Sequence, residues 1–187
     1  MQLKLLGVIV AILFLCGCFP MRSEFYEPES KKGVIELAHC RGLVGVPNTV
    51  RFKKKYGIES YVTTYFESEQ EDILKIGISL KIPKGVIVEI KTDAISINVK
   101  GSETPIKYTK IWAGNYGFTA DEIKDVIGST VFSGDEYEIY EFLVFIPNPV
   151  DEFTVTMPVF YVNDHPVNFG KIKLTNKTEW AIYPLNC

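Results

Sequence analysis

The sequence predicts a mainly β domain: two antiparallel sheets packed as a β-sandwich, immunoglobulin-like or similar, with one short helix and a small β-barrel as the alternative. Three observations predict it. After Tyr56, apolar residues recur at every second position, the period of a half-buried strand. The runs are short and separated by turn-forming residues. Only one stretch carries a helix signature.

The elements follow in order. In Asp72 to Ile82, Leu74, Ile76, Ile78, Leu80 and Ile82 share one phase, and Lys75, Gly77, Ser79 and Lys81 the other. Val86, Val88 and Ile90 repeat the pattern, as do Ile95, Ile97 and Val99, with Lys91-Thr92-Asp93-Ala94 between them as a tight turn. Ile106, Tyr108 and Trp112 suggest a further strand. Thr119 and Glu122 form a capping box, and Ile123, Val126 and Ile127 give a helical stripe ended by Gly128. Tyr137 to Ile146 is apolar in both phases, as in a strand covered on both sides. Phe153, Val155, Met157, Val159 and Tyr161 share a phase broken by Pro158, which marks an edge or a bulge. Asn163-Asp164-His165-Pro166 reads as a hairpin turn. Val167 and Phe169 hold one phase and Ile172 and Leu174 the other, so Gly170-Lys171 reads as a bulge. Trp180 and Ile182 form a short last strand.

The first twenty residues have a different character. Lys4 is followed by an apolar run, Leu5 to Leu15, and then Cys16-Gly17-Cys18. A positive start, an apolar middle and a small residue at the cut describe an export signal. Leu15, Gly17 and Cys18, with Cys16 in the tolerant middle position, resemble the signal motif of bacterial lipoproteins. The resemblance covers about the first tenth of the chain. It implies that residues 1–17 are removed, that Cys18 becomes the first residue and carries several acyl chains, and that the membrane is one partner. Phe19, in place of an Asp after the lipidated Cys, implies the outer membrane facing the periplasm rather than the inner membrane. An uncleaved anchor is the alternative, but Leu5 to Phe19 is 15 residues where a spanning helix needs about 20. A secretory signal cut elsewhere is a third reading. Residues 18–32, with two prolines, mixed charge and no apolar period, read as a lipidated tether, and residues 33–187 as the folded domain.

Without residues 1–17, which contain Lys4 and no acid, 19 basic and 23 acidic residues remain, a net charge of −4. That argues against a nucleic-acid partner. The one basic cluster, Arg51-Phe52-Lys53-Lys54-Lys55, reads as a solvated turn. Acylation of Cys18 and loss of Cys16 leave Cys40 and Cys187. In an exported chain they are expected to pair, with a loop-closure stabilisation of about 5 kcal/mol as an upper figure. Two buried free thiols are the alternative.

Catalytic constellations are not found. His39 adjoins Cys40, and neighbours on a strand face opposite ways, so the two make no nucleophile–base pair. His39, His165, Cys40 and Cys187 match no metal-ligand spacing, and no metal or cofactor is expected. There is no Gly-x-Ser-x-Gly, and Ser133-Gly134-Asp135 is a turn composition. The acidic run Glu67-Ser68-Glu69-Gln70-Glu71-Asp72 reads as a solvated loop. One aromatic stretch stands out. Trp112, Asn115, Tyr116 and Phe118, with Gly114 and Gly117, have the composition of a contact loop for proteins or sugars. The alternative, which weighs more because aromatics most often fill cores, is that Trp112 and Phe118 seal one end of the sandwich.

The expectation is therefore a lipid-anchored envelope protein without catalytic activity, a protein-binding or structural module. An inhibitor or immunity-type lipoprotein that blocks an enzyme is the second class. An envelope enzyme is the third and is disfavoured.

Overall fold

The computed structural model describes residues 18–37, 44–67, 70–108, 110–114, 121–123, 130–147 and 149–184. These form sixteen strands. In chain order they are β1 (Cys18–Ser30), β2 (Gly33–Leu37), β3 (Pro47–Lys55), β4 (Ile58–Glu67), β5 (Gln70–Lys81), β6 (Ile87–Ile90), β7 (Ala94–Val99) and β8 (Ser102–Lys107). Then come β9 (Lys110–Gly114), β10 (Asp121–Ile123), β11 (Thr130–Ser133), β12 (Ile139–Pro147), β13 (Glu152–Thr156), β14 (Val159–Val162), β15 (His165–Asn168) and β16 (Lys171–Pro184).

They build three antiparallel sheets: a seven-stranded sheet in the order β10-β9-β12-β5-β4-β3-β2, a five-stranded sheet β1-β16-β13-β7-β8 and a four-stranded sheet β11-β6-β14-β15. None closes into a barrel. The two smaller sheets share three runs of chain. β6 leads into β7, β13 into β14 and β15 into β16, and the neighbour order β6-β14-β15 in one sheet matches β7-β13-β16 in the other. They are one layer with a crease, facing the seven-stranded sheet across a sandwich core.

The crease explains where the alternation changes phase. Pro158 lacks the N–H needed to continue a ladder, so β13 ends before it and β14 starts after it. The run from Phe153 to Tyr161 is thus two strands rather than one. Phe160 and Val162 face the core, while Val159 and Tyr161 are half-exposed. Gly170, at φ +91°, takes a backbone conformation open to glycine and carries the phase switch from β15 to β16, a passage between sheets rather than a bulge within a strand. The Met157 N–H bonds the Gly170 carbonyl at 2.9 Å across the crease. Lys91 to Ala94 likewise steps from β6 to β7, with Thr92 Oγ1 bonding the Ala94 N–H and carbonyl; it closes no hairpin, because β6 and β7 do not pair. Ile106 and Trp112 fall on separate strands, β8 and β9, in separate sheets.

Three two-residue hairpins have both central residues at positive φ: Tyr56-Gly57, Lys100-Gly101 and Asn163-Asp164. That is the turn whose twist matches paired strands. The last of them is the hairpin expected around His165. The basic cluster Arg51 to Lys55 is not a turn but the end of β3, exposed except for Phe52.

One apolar cluster joins both layers. Leu74, Ile76, Ile78 and Leu80 of β5 are fully buried, as are Val155, Ile172, Leu174, Val88 and Phe160 opposite. Aromatic contacts bridge the layers: Phe52 meets Phe169 at 5.0 Å, and Phe132 stands edge-on to Phe142 at 5.2 Å. β12, between β5 and β9, buries Phe142, Leu143 and Val144 in succession, but Ile139, Glu141 and Phe145 on its outer face are only half-buried, so the cover expected on both sides holds only at Leu143.

Two further expectations are corrected. Residues 18–32 are not a loose tether. β1 pairs with β16 from Cys18↔Pro184 to Ser30↔Ile172, and both Phe25 and Tyr26 are buried. Its mixed charge hides a strand because the neighbours Phe25 and Tyr26 are both buried while Glu24, Glu27 and Glu29 are exposed, so no clean apolar period of two shows. The helix over Thr119 to Gly128 is also corrected where it is described: residues 121–123 are β10, paired with β9 from Asp121↔Ala113 to Ile123↔Ile111. Ladder pairing there overrides the local capping signal. No helix occurs among the described residues.

Candidate functional site

The sequence-derived site residues fall unevenly on this frame. Cys40 and Cys187 lie outside the described residues, as do His39, Asn115, Tyr116, Phe118 and the leader 1–17. Trp112 is on β9. The backbone of Cys18 begins β1. His165 opens β15, where its ring stacks on Tyr56 at 5.2 Å. Among the described residues no three His, Cys, Asp or Glu gather as metal ligands, and no helix there is long and apolar enough to cross a membrane.

Trp112 takes its meaning from strand alternation. Its neighbours Ile111 and Ala113 face the core, so Trp112 is on the outer face of the seven-stranded sheet and is half-buried. It seals no end of the sandwich. In register it sits beside Glu122 of β10 and Glu141 of β12, and the row continues through Ser79, Tyr61, Arg51 and Val34. One rung of side-chain positions therefore crosses all seven strands. The next row runs Lys110, Leu143, Gly77, Thr63, Thr49 and Glu36.

The face is mixed in chemistry and held by its own contacts. Lys75 Nζ lies between two rings, 5.1 Å from Tyr65 and 5.3 Å from Phe145, a cation–π arrangement that fixes all three. Lys110 Nζ is 5.8 Å from the Trp112 ring. Tyr61 Oη donates to Glu59 Oε2 at 3.0 Å. That bond holds the Glu59 carboxyl below its ordinary value, and burial followed by the same bond pushes the Tyr61 hydroxyl up. Thr49 and Thr63 share a hydroxyl bond at 3.1 Å, and Arg51 pairs with Glu36. In the middle Gly77 is buried beneath neighbours: a Cβ there would stand 2.8 Å from Glu141 Oε1 and 3.7 Å from Leu143 Cδ2. The glycine leaves room for Glu141 to lie flat across the sheet.

Half-exposed Tyr and Trp rings beside an exposed Arg on an outer sheet face suit contact with another macromolecule, since such rings bring large area at low entropic cost and Arg is frequent at binding hot spots. Sequence reading finds Trp112 but misses Tyr61, Tyr65 and Phe145. For Tyr61 and Tyr65 the signal is present, each an aromatic in the phase opposite Ile58, Val62 and Phe66; Phe145 lies in a run that is apolar in both phases and gives none.

The second place of interest is the β1–β16 pair. β13 pairs with β16 only from Lys171 to Thr175. Beyond that, among the described strands, β16 pairs with β1 alone. Lys177, Thr178, Glu179 and Trp180 are exposed in succession, so both faces of this ribbon meet solvent. Trp180 is 75% exposed. Nearer the body, β1 is fixed by Tyr26. Its Oη donates to the Val150 carbonyl at 2.9 Å, and its own carbonyl accepts from Thr64 Oγ1 at 3.1 Å. Its ring touches Phe66 and Phe153 at 5.8 and 5.5 Å.

Comparison with protein-family models finds none that matches the chain, and comparison with curated proteins finds no match. The functional reading rests on the leader and on this geometry.

Proposed function

We propose that this chain is a lipid-anchored protein of the bacterial envelope that presents the outer face of its seven-stranded sheet to a protein partner. The single observation behind the binding role is the continuous row Trp112, Glu141, Ser79, Tyr61, Arg51 across that face, flanked by the Tyr65–Lys75–Phe145 sandwich. The anchor rests on Leu15-Cys16-Gly17-Cys18, with the lipid on Cys18 and Phe19 favouring the outer membrane on its periplasmic side. No catalytic role is assigned, and Cys40 and Cys187 are proposed to form a disulfide.

Intact-mass measurement of the membrane fraction tests the anchor: a chain beginning at Cys18 with acyl mass supports it, and an unmodified chain retaining Met1 refutes it. A photo-crosslinking residue placed at Tyr65 or Glu141 in intact cells tests the face. A discrete adduct from these positions, absent when the probe replaces Lys173 on the opposite sheet, supports it. Equal or absent adducts from both sheets refute it.

A further inference from the structure

We propose that the outer end of the β1–β16 ribbon, which no third described strand joins, is a foot that rests in the headgroup layer of the bilayer, with Trp180 as its interfacial anchor. The proposal rests on the reading of Cys18 as the lipidated residue. Its own warrant is the order of residues along the ribbon. The terminal rungs pair Cys18 with Pro184, Phe19 with Tyr183, Pro20 with Ile182 and Met21 with Ala181. None of these eight residues is charged. The next rung pairs Arg22 with Trp180, and the following three bring in Glu179, Glu24 and Lys177. Polarity therefore steps from uncharged to charged at the rung that holds an exposed tryptophan opposite an exposed arginine.

That order matches a membrane surface. Tryptophan and tyrosine concentrate at the headgroup level, and an arginine can lay its stem on apolar surface while its head meets phosphate. The depth is bounded from both sides. A two-stranded ribbon has unpaired backbone groups along its outer edges, and these cannot enter hydrocarbon unsatisfied, so the ribbon stays in the interface. Four rungs at about 3.3 Å separate Cys18 from Trp180, roughly 13 Å. One headgroup layer is only about 5–8 Å thick. The ribbon must lean well over for Trp180 to share that layer with the acylated end. A solitary two-stranded ribbon is also marginal in water, and contact with lipid supplies the missing cover.

The chain has two tryptophans, Trp112 and Trp180, so Trp112→Phe leaves a single reporter. The full chain is produced with its leader, acylation of Cys18 is confirmed by intact mass, and the protein is reconstituted in phosphatidylcholine vesicles containing lipids brominated either near the glycerol or near the chain end. The expected result is a blue-shifted Trp180 emission, quenched at least about twofold more by shallow than by deep bromine, and protected several-fold from aqueous iodide. If Trp112→Phe does not fold, the difference between wild type and Trp180→Phe reads the same signal. An acylated chain whose Trp180 remains red-emitting and fully open to iodide overturns the foot while leaving the anchor intact. A blue-shifted Trp180 that no brominated lipid quenches means that a second copy covers the ribbon, which also overturns it. A chain with no acyl group on Cys18 removes the anchor and the foot together.

Discussion

Replacing Tyr26 by Ala tests whether β1 belongs to the folded body. Tyr26 is 1% exposed and packs against Phe66 of β4 and Phe153 of β13, so it joins both layers. Truncating a buried aromatic to Ala costs about 3–5 kcal/mol, and losing the hydroxyl bond to the Val150 carbonyl adds about 1 kcal/mol. The sum is about 4–6 kcal/mol. For a domain of this size the urea slope is about 2 kcal/mol per M, so the midpoint should fall by about 2–3 M. Tyr26→Phe removes only the hydroxyl and should lower it by about 0.5 M. Arg22→Ala, on the exposed ribbon, should leave it unchanged. Urea unfolding followed by circular dichroism and by fluorescence reads all three. A Tyr26→Ala midpoint equal to that of wild type would refute the reasoning, because the residue would then lie in a tether outside the cooperative unit.

Four further outcomes are expected. Burial, and then the nearby Glu24 and Asp151 charges, push the Tyr26 hydroxyl from 10.0 to about 12; since the fold favours the neutral form, this contribution is full below pH 10 and is lost between pH 10 and about 12, and an unfolding series over that range should fall less steeply in Tyr26→Phe. Thr64→Val leaves the Tyr26 carbonyl without its 3.1 Å donor and should cost about 1–3 kcal/mol in the same urea assay. Gly134→Ala would drive Cβ into the Pro83 carbonyl oxygen and place it 2.8 Å from that of Ile82, backbone atoms that cannot swing aside, so thermal melting should show a loss of about 1–3 kcal/mol or more. Gly101→Ala meets open space but holds φ +92°, so only the left-handed backbone cost of about 1 kcal/mol is expected, and a larger loss than in Gly134→Ala would contradict the geometry.

Legibility in the sequence follows solvent. β5 is readable residue by residue because one face meets the core and the other water. β12 is readable as a strand, but its two-phase apolar pattern overstates its cover: Phe142 and Val144 fill the core, while of the outer phase only Leu143 is buried. β1 is not: Phe25 and Tyr26 are adjacent and both buried, while Glu24, Glu27 and Glu29 carry charge to the surface. That mixture looks like a linker. Pro158 and Gly170 stand out as interruptions, but only the third dimension shows that the chain changes sheets there. The Thr119–Glu122 capping box fails at residues 121–123 because a local signal of one turn yields to pairing with β9. For the candidate site, Trp112 is legible as an unusual aromatic, whereas its outward direction depends on Ile111 and Ala113 filling the core. Tyr61, Arg51 and Glu141 are far apart in sequence and become a row only through register.

The pairing of first strand with last also decides how the molecule bears tension. A pull applied at Cys18 along the axis of β1 acts across the hydrogen bonds that join it to β16. The thirteen rungs then share the load in shear and do not open singly like the teeth of a zipper. The anchor proposed at Cys18 would therefore load the longest ladder among the described strands, that of β1 with β16.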